Sequence, residues 1–229
     1  MNKLSKFILD IFFPNRCPFC DCFIKWDKLA CDRCIDEISY IDDKVCGHCG
    51  KIPCICDIEL FYEKCYAACY YEGIVKNGII NLKVKNAINT AEIFADILSV
   101  KLLSDGIKYD FILPVPMSKK KKSIRGYNQA EEIAKCISSR TKIPVSNDFL
   151  YKNDSEIEQH TLSAEERAKN VKNEFGIKKN TNLKGKTIIL CDDVITTGST
   201  LNECARLVKN LGAKTVILAV GATTKLKNT

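Results

Sequence analysis

The sequence predicts an α/β protein in which a parallel sheet flanked by helices follows a small cysteine-rich module. Nine of the 14 cysteines fall between residues 17 and 56. Beyond them the chain alternates short apolar runs with stretches of helical periodicity, the pattern of a parallel sheet covered by helices. We therefore predict two domains, residues 1–62 and 63–229.

The composition is that of a globular protein, with 46% hydrophobic and 28% charged residues among 229. Disordered and fibrous classes are excluded. The longest apolar stretch near the N-terminus, Phe7 to Phe13, is interrupted by Asp10 and is far shorter than the roughly 20 residues of a membrane span. It also lacks a small-residue cleavage site, so we expect no secretory signal and no membrane span, and predict a cytoplasmic protein.

The first cysteine set, Cys17-x2-Cys20 followed by Cys31-x2-Cys34, has the spacing of structural zinc. A reducing compartment favours metal ligation over disulfides. A second set combines Cys46-x2-Cys49 with Cys54-x1-Cys56, whose one-residue gap is cramped for chelation by both sulfurs. We predict one or two structural zinc ions, with ligands drawn from Cys17, Cys20, Cys31, Cys34, Cys46, Cys49, Cys54 and Cys56.

Neither an iron–sulfur cluster nor simple packing accounts for the cysteines as well as zinc does. The spacings match neither common ferredoxin pattern, which disfavours an iron–sulfur cluster. Packing in the core explains single residues such as Cys136, Cys65 and Cys69, but not four close pairs. Cys22 and His48 lie within the cluster and are expected to be bystanders.

The first half of the C-terminal domain begins with an apolar segment, Tyr66 to Tyr71, and continues with helical spacing from Val75 to Leu103. A short apolar strand then runs from Phe111 to Val115. Asn128 is placed to cap a helix from Gln129 to Ser138, with Glu131 three residues on as in a capping box.

The second half begins with a polar run, Lys152 to Lys172, which predicts a mobile loop and a charged helix start. The segment Thr187 to Cys191 is apolar without alternation, as in a strand buried on both faces. A helix from Leu201 to Leu211, stopped at Gly212, and a strand from Thr215 to Val220 complete a β-loop-α-β unit of a parallel sheet.

The positive charge of the chain belongs to the C-terminal domain, which carries +9 against −2 for the first 60 residues. The first 60 residues hold eight basic and ten acidic residues, whereas the whole chain holds 35 and 28. A basic field suits phosphorylated metabolites and nucleic acids alike. The run Lys119 to Lys122 is either a solvated face or a nucleic-acid patch.

A candidate site follows the buried strand, where Asp192 and Asp193 lead into a hydroxyl-rich loop at a helix start. Ligands of open α/β sheets bind at the carboxyl ends of strands. Gly198 allows the backbone to approach an anion, and free N–H groups at a helix start favour phosphate. The carboxylates can accept hydrogen bonds from sugar hydroxyls or hold a metal. The pattern predicts a phosphorylated sugar, whereas isolated Asp-Asp pairs are usually turn residues.

The string from Ile188 to Thr200 resembles the phosphoribosyl pyrophosphate loop of type I phosphoribosyltransferases. With the double cysteine module after Phe13-Pro14, Leu113-Pro-Val-Pro116, Arg125-Gly-Tyr-Asn-Gln129 and the series Gln159 to Phe175, the chain resembles the ComF family of competence proteins over nearly its whole length. The resemblance implies a double zinc ribbon before a phosphoribosyltransferase domain.

The resemblance also implies roles for individual residues. Asp192 and Asp193 would meet the ribose hydroxyls, Arg125 and Lys83 the pyrophosphate, and Gln159 and Arg167 would lie on a covering loop. Family members often carry arginines just before that glutamine, where this chain has 152–154 as Lys-Asn-Asp. The expected catalytic residues are Asp192, Asp193, Arg125, Lys83 and Arg167, and the expected substrate-binding residues are Asp192, Asp193, Val194, Thr196, Thr197, Gly198, Ser199, Thr200, Arg125, Gly126 and Gln159.

The expected function is transfer of phosphoribosyl from Mg-phosphoribosyl pyrophosphate to an amine or base, in the context of DNA uptake. Mg²⁺ would accompany the donor, and the partners would include single-stranded DNA and other competence proteins. The alternative is a non-catalytic module that senses phosphoribosyl pyrophosphate or handles single-stranded DNA, because fold alone does not fix function.

Overall fold

The structure is a computed structural model that describes residues 12–154, 174–179 and 181–226. Most of the loop expected between Lys152 and Lys172, including Gln159 and Arg167, lies outside these residues. Within them, the elements in chain order are α1 (Asp32–Asp36), β1 (Lys64–Tyr70), α2 (Gly73–Val84), α3 (Ile88–Ser104), β2 (Phe111–Pro114), α4 (Lys119–Arg125), α5 (Gln129–Thr141), β3 (Leu150–Lys152), β4 (Phe175–Ile177), β5 (Thr187–Ile195), α6 (Ser199–Asn210) and β6 (Thr215–Thr223).

A parallel sheet of four strands, in the order β1-β6-β5-β2, organises the C-terminal part of the chain. The central strand β5 sends Ile189 and Cys191 into one core and Ile188 and Leu190 into the other. All four are fully buried, which confirms the expected strand without polar alternation. Strands β3 and β4 form a separate antiparallel pair.

Helices cover both faces of the sheet. Apolar residues of α2, α3 and α5 fill the first core, and those of α6 fill the second. The helical periodicity predicted from Val75 to Leu103 is divided between α2 and α3, because Asn86 adopts a left-handed conformation with φ of 52°. In the described part of the chain, no helix is both long and apolar enough to cross a membrane.

Helix α5 begins where the sequence predicts. The Asn128 side chain accepts a hydrogen bond from Ala130 N at 3.1 Å. The capping-box partner behaves differently, since the Glu131 carboxylate forms ion pairs with Lys135 at 3.0 Å and Lys122 at 3.4 Å. Two nearby ammonium groups offer this carboxylate a stronger interaction than a single backbone N–H.

The cysteine-rich module is built into the sheet and its first core. The connection between its two halves pairs with the edge strand β1, as Tyr70 N donates to Ser39 O at 2.7 Å. This contact covers an otherwise open sheet edge. On the helical side, Phe19 packs against Gly78 of α2, where a Cβ atom would lie 2.5 Å from the ring. The module therefore depends on the same apolar core as the sheet.

Gly221 lies where α3 presses on the junction of β5 and β6. A Cβ atom there would meet the Phe94 ring at 2.4 Å and Asp193 O at 2.9 Å. We expect Gly221→Ala to lower the free energy of unfolding by about 1–3 kcal/mol, because the added methyl overpacks the core. Urea unfolding measures this loss.

A double variant tests the stated cause. Phe94→Leu replaces the ring that the new methyl meets with a smaller side chain. The loss in free energy of unfolding for the double variant should therefore be smaller than the sum of the losses for the two single variants. Strict additivity would contradict the steric explanation.

Candidate functional site

The loop after β5 forms a cradle for an anion. Gly198 has a φ of 86° and precedes α6, whose first turn carries no acidic residue and no side-chain cap. Ser199 N makes a long hydrogen bond to Thr197 Oγ1 at 3.4 Å. The N–H groups that follow it in the first turn of α6 have no acceptor within the helix and can meet an anion, and the helix start is electropositive. The Thr197 and Ser199 hydroxyls lie 3.1 Å apart at the same turn. The loop therefore offers donors suited to an anion, and the monophosphate expected there from the sequence stays a prediction.

Asp192 and Asp193 are the last charged residues of β5 before this loop. Asp193 N donates to Asp192 Oδ1 at 2.8 Å. Burial, and then the charge of the neighbouring Asp193, raises the pKa of Asp192 well above its usual value. The strand thus holds two carboxylates together in a place where water screens their repulsion poorly.

Lys83, at the end of α2, provides the compensating charge. Its Nζ lies 2.7 Å from Asp193 Oδ2, and the two side chains are 32% and 13% exposed. The family resemblance associates Lys83 with a pyrophosphate group. The structure brings it to the aspartates, so one ammonium lies within reach of the carboxylates and of any anion bound beside them.

A cavity of about 250 Å³, here called the strand-end pocket, opens between the ends of β5 and β2. Strand β2 ends opposite Cys191, where Val115 N donates to Cys191 O at 2.9 Å, so the aspartates that follow on β5 lie just beyond the end of β2. The polar and aromatic side chains lining the strand-end pocket are Lys83, Ser118, Lys121, Arg125, Asn128, Gln129, Lys152, Phe175, Asp192, Asp193 and Thr200.

Cations gather on the β2 side of the strand-end pocket. Burial, and then the charges of Lys152 and Arg125, lowers the pKa of Lys121. Arg125 donates to Gln129 Oε1 at 3.0 Å, which orients the guanidinium. Gly126 ends α4 with a φ of 81°, so the chain can reverse directly after Arg125. Lys121 and Lys152 were not assigned to this pocket from the sequence.

Gln129 shows that the strand-end pocket has unused hydrogen-bonding capacity. Its side chain is buried, and among the described residues its Nε2 has no hydrogen-bond partner. A buried amide donor without a partner costs free energy, and a bound oxygen would satisfy it. In the sequence Gln129 stands out only as part of a motif, because burial and hydrogen bonding are not visible there.

The remaining predicted binding residues lie along the same loop. Val194 is half-buried and packs against the first core. Thr196 is exposed, and its carbonyl accepts a hydrogen bond from Thr224 Oγ1 at 3.1 Å. Thr200 reaches the strand-end pocket. Gln159 and Arg167 lie outside the described residues.

Two groups of four thiols lie where metal sites were expected. The sulfurs of each group are within 4.8 Å of one another. The distances from Cys20 to Cys31 and from Cys46 to Cys56 are 3.7 Å, and that from Cys49 to Cys54 is 3.8 Å. Tetrahedral zinc with sulfur at about 2.3 Å requires sulfurs about 3.8 Å apart. The close pair Cys54-x1-Cys56 therefore fits a four-thiol site.

A fifth thiol, that of Cys34, lies beside the first group of four. Cys17, Cys20, Cys22 and Cys31 form the compact set. Cys34 is buried beside them, and burial, followed by hydrogen bonding to Cys31 and Cys20, raises the pKa of its thiol. Cys22, expected to be a bystander, thus lies as close as the expected ligands. A hydrogen bond from the Cys22 backbone lowers the pKa of Cys20 to about 6, which favours the thiolate form.

Two known family models match the chain. Residues 87–227 match the phosphoribosyl transferase domain model. The chain belongs to this family. Residues 8–69 match the double zinc ribbon domain.

Curated proteins with competence or DNA-utilization names are similar to this chain. Competence protein ComFC of Bacillus subtilis is 26% identical over 235 aligned positions, which cover 93% of this chain and 91% of that protein. DNA utilization protein YhgH of Escherichia coli K12 is 25% identical, covering 87% and 86%. Competence protein F of Haemophilus influenzae is 38% identical over 106 residues, less than half of either chain at 46%. The predicted ComF resemblance and the predicted fold class are confirmed.

The two thiol groups predict two equivalents of zinc in the purified protein. Cys54→Ser should leave one equivalent, because a serine hydroxyl is a poor ligand for zinc beside three thiolates. Elemental analysis of both proteins measures this. Cys136→Ser, which changes a buried thiol outside both groups, is the control and should keep two equivalents. A folded protein without zinc would contradict the assignment.

Proposed function

We propose that the transferase domain binds Mg-phosphoribosyl pyrophosphate in the strand-end pocket and transfers its phosphoribosyl group to an amine or a base. The proposal rests on how positive and negative charges are distributed around this pocket. Carboxylates lie at the end of β5, cations lie on the β2 side, and the anion cradle lies directly after the carboxylates. One phosphorylated sugar with a second anionic group would complement all three features.

The sugar would be held by hydrogen bonds of two kinds. Asp192 and Asp193 would accept bonds from ribose hydroxyls through their carboxylate oxygens. The N–H groups at the start of α6 and the Thr197 and Ser199 hydroxyls would donate to the 5′-phosphate.

The pyrophosphate would lie against the cations. Arg125 can bind two phosphate oxygens at once because its guanidinium is planar and forked. Lys83, Lys121 and Lys152 add positive charge around the same opening. Gln129 Nε2, which no described residue accepts from, would donate to a phosphate oxygen.

The proposed transfer needs no nucleophilic side chain. The bond from C1 to pyrophosphate oxygen breaks, a bond from C1 to the acceptor nitrogen forms, and the nitrogen loses a proton. Positive charge grows on C1 and negative charge on the leaving group, so the aspartates and the cations stabilise opposite ends of the transition state. Mg²⁺, entering with the donor, would neutralise part of the pyrophosphate charge.

A second candidate function, handling of single-stranded DNA, is favoured by another cavity of about 410 Å³ beside the first. We call it the lysine–aromatic cavity. The side chains that define it are Lys119, Lys122, Lys152, Lys178, Phe149 and Tyr151. Tyr151 is 42% exposed, which leaves a ring face for base stacking. Tyr127, the aromatic residue nearest the lysine run in sequence, instead donates its hydroxyl to Leu82 O at 2.6 Å within the fold.

The names of the relatives support a role in DNA uptake or utilisation for this chain, with other competence proteins as partners. We propose a reducing, cytoplasmic setting, in which the clustered thiols would hold zinc. We also propose that the domain boundary lies between residues 62 and 63, directly before β1.

Titration calorimetry with Mg-phosphoribosyl pyrophosphate tests the principal proposal. Wild-type protein should bind, and Asp192→Asn/Asp193→Asn should abolish detectable binding, because neutral amides accept hydrogen bonds from ribose hydroxyls more weakly than carboxylates do. The matched control Asp36→Asn/Asp43→Asn removes the same charge at exposed positions and should bind normally. Absence of binding by zinc-loaded wild type would refute the proposal.

The DNA-handling candidate predicts strong salt dependence. Contacts from four lysines to phosphates would weaken binding of a single-stranded oligonucleotide about 50-fold between 50 and 200 mM salt. Tyr151→Ala should weaken binding further, while Asp192→Asn should not. Fluorescence anisotropy measures the affinity of wild type and of the two variants for the oligonucleotide. Affinity that does not change with salt would count against this function.

A further inference from the structure

We propose that Lys51 is a positioning residue that holds the phosphate cradle, residues 196–200, in its binding geometry. Lys51 lies in the second zinc ribbon, the part of the module that carries Cys46, Cys49, Cys54 and Cys56. The inference rests on the proposed function, because the cradle matters only if a phosphorylated sugar binds. It assigns the second ribbon a role in ligand recognition by the transferase domain.

Lys51 is fully buried although it carries a charge. Its Nζ donates to Ile195 O at 3.1 Å, to Thr224 O at 2.8 Å and to Thr224 Oγ1 at 3.0 Å, and lies 3.2 Å from Thr223 Oγ1. These partners are neutral oxygens at the ends of β5 and β6. A buried ammonium satisfied in this way fixes several backbone groups at once, since each bond would be costly to lose.

The groups that Lys51 holds lie directly before the cradle. Ile195 is the last residue of β5, and Thr196 begins the loop. Thr224 N donates to Ile195 O at 3.1 Å, and Thr224 Oγ1 donates to Thr196 O at 3.1 Å. The Lys51 ammonium, the Thr224 hydroxyl and the Thr196 carbonyl therefore form a chain of hydrogen bonds that leads into the cradle.

The position of Lys51 is set in turn by the second thiol group. Gly50 N donates to Cys46 O at 2.8 Å, and Cys46 N donates to Lys51 O at 3.1 Å, closing the knuckle that carries two of the thiols. Gly50 has a φ of 71°, and a Cβ atom there would lie 2.3 Å from Cys65 Sγ. The knuckle thus approaches β1 as closely as the backbone allows.

A second contact holds the other end of the cradle. Asn202, in the first turns of α6, accepts a hydrogen bond from Phe61 N at 2.8 Å and donates to Glu59 O at 2.9 Å. The chain leaving the second ribbon therefore binds the helix that follows the cradle. With Lys51 before the cradle and Asn202 after it, both flanks of residues 196–200 are tied to the ribbon.

This arrangement predicts a selective effect on ligands. Lys51 contacts the cradle side of the strand ends and not the Arg125 side, where pyrophosphate would bind. Losing Lys51 should weaken binding of ribose 5-phosphate but spare binding of Mg-pyrophosphate. A general loss of stability would weaken both.

The experiment compares Lys51→Met with Lys44→Met, which removes an exposed lysine of the same ribbon. Titration calorimetry measures affinities for ribose 5-phosphate and Mg-pyrophosphate separately. For Lys51→Met we expect about a tenfold or greater loss for ribose 5-phosphate, the effect of losing charged hydrogen bonds, and little change for Mg-pyrophosphate. Lys44→Met should bind both as wild type does.

Two further variants keep the test decisive if Lys51→Met does not fold. Thr224→Val removes only the connecting hydroxyl and should cause a smaller loss with the same selectivity. Cys54→Ser, checked for its zinc content, should reproduce the selectivity through the metal site.

Equal affinity of wild type and Lys51→Met for ribose 5-phosphate would overturn the inference, as would equal losses for both ligands. Failure of wild type to bind either ligand would instead refute the proposed function, and the inference with it.

Discussion

The placement of two half-buried carboxylates side by side at the end of a central strand is the constraint on which the candidate site depends. Strand β5 is buried on both faces up to Cys191, so Asp192 and Asp193 leave the core where few water molecules reach them, and burial raises the pKa of Asp192. Positive charge compensates for these carboxylates. Lys83 lies 2.7 Å from Asp193, and further cations line the other side of the strand-end pocket. A site that gathers both signs of charge in a small cavity is suited to a ligand with hydroxyl donors at one end and phosphate oxygens at another.

The double zinc ribbon is integral to this arrangement. It covers the edge of the sheet along β1, and its Phe19 ring packs directly on Gly78 of α2. Each contact replaces water at a surface that the sheet and helices leave open, so the ribbon contributes to the core as well as carrying metal sites. Lys51 extends the same interface to the strand ends, which connects the second thiol group to the loop that would bind phosphate.

The strand-end pocket and the lysine–aromatic cavity are neighbours that share four lining residues, Pro116, Met117, Asn128 and Lys152. One is narrow and combines carboxylates with cations, whereas the other is wider and combines lysines with aromatic rings. The first composition favours a sugar phosphate and the second favours a nucleic-acid strand. Since Lys152 also pairs with Glu174 at 2.8 Å, the β3–β4 pair has a charged contact at the boundary between the two cavities.

Features that depend on short spacing along the chain could be predicted from the sequence. The cysteine pairs, the buried strand with its two aspartates, the cap of α5 and the family resemblance are of this kind, because each is set by neighbours within a few residues. The uses of Lys51, Gln129 and Lys152, and the choice of the closest thiols in the first group, emerged only from the folded chain. Lys51 meets Ile195 across 144 positions of sequence and Thr224 across 173. No local pattern encodes such a contact, because it arises when two segments far apart in sequence pack into one core.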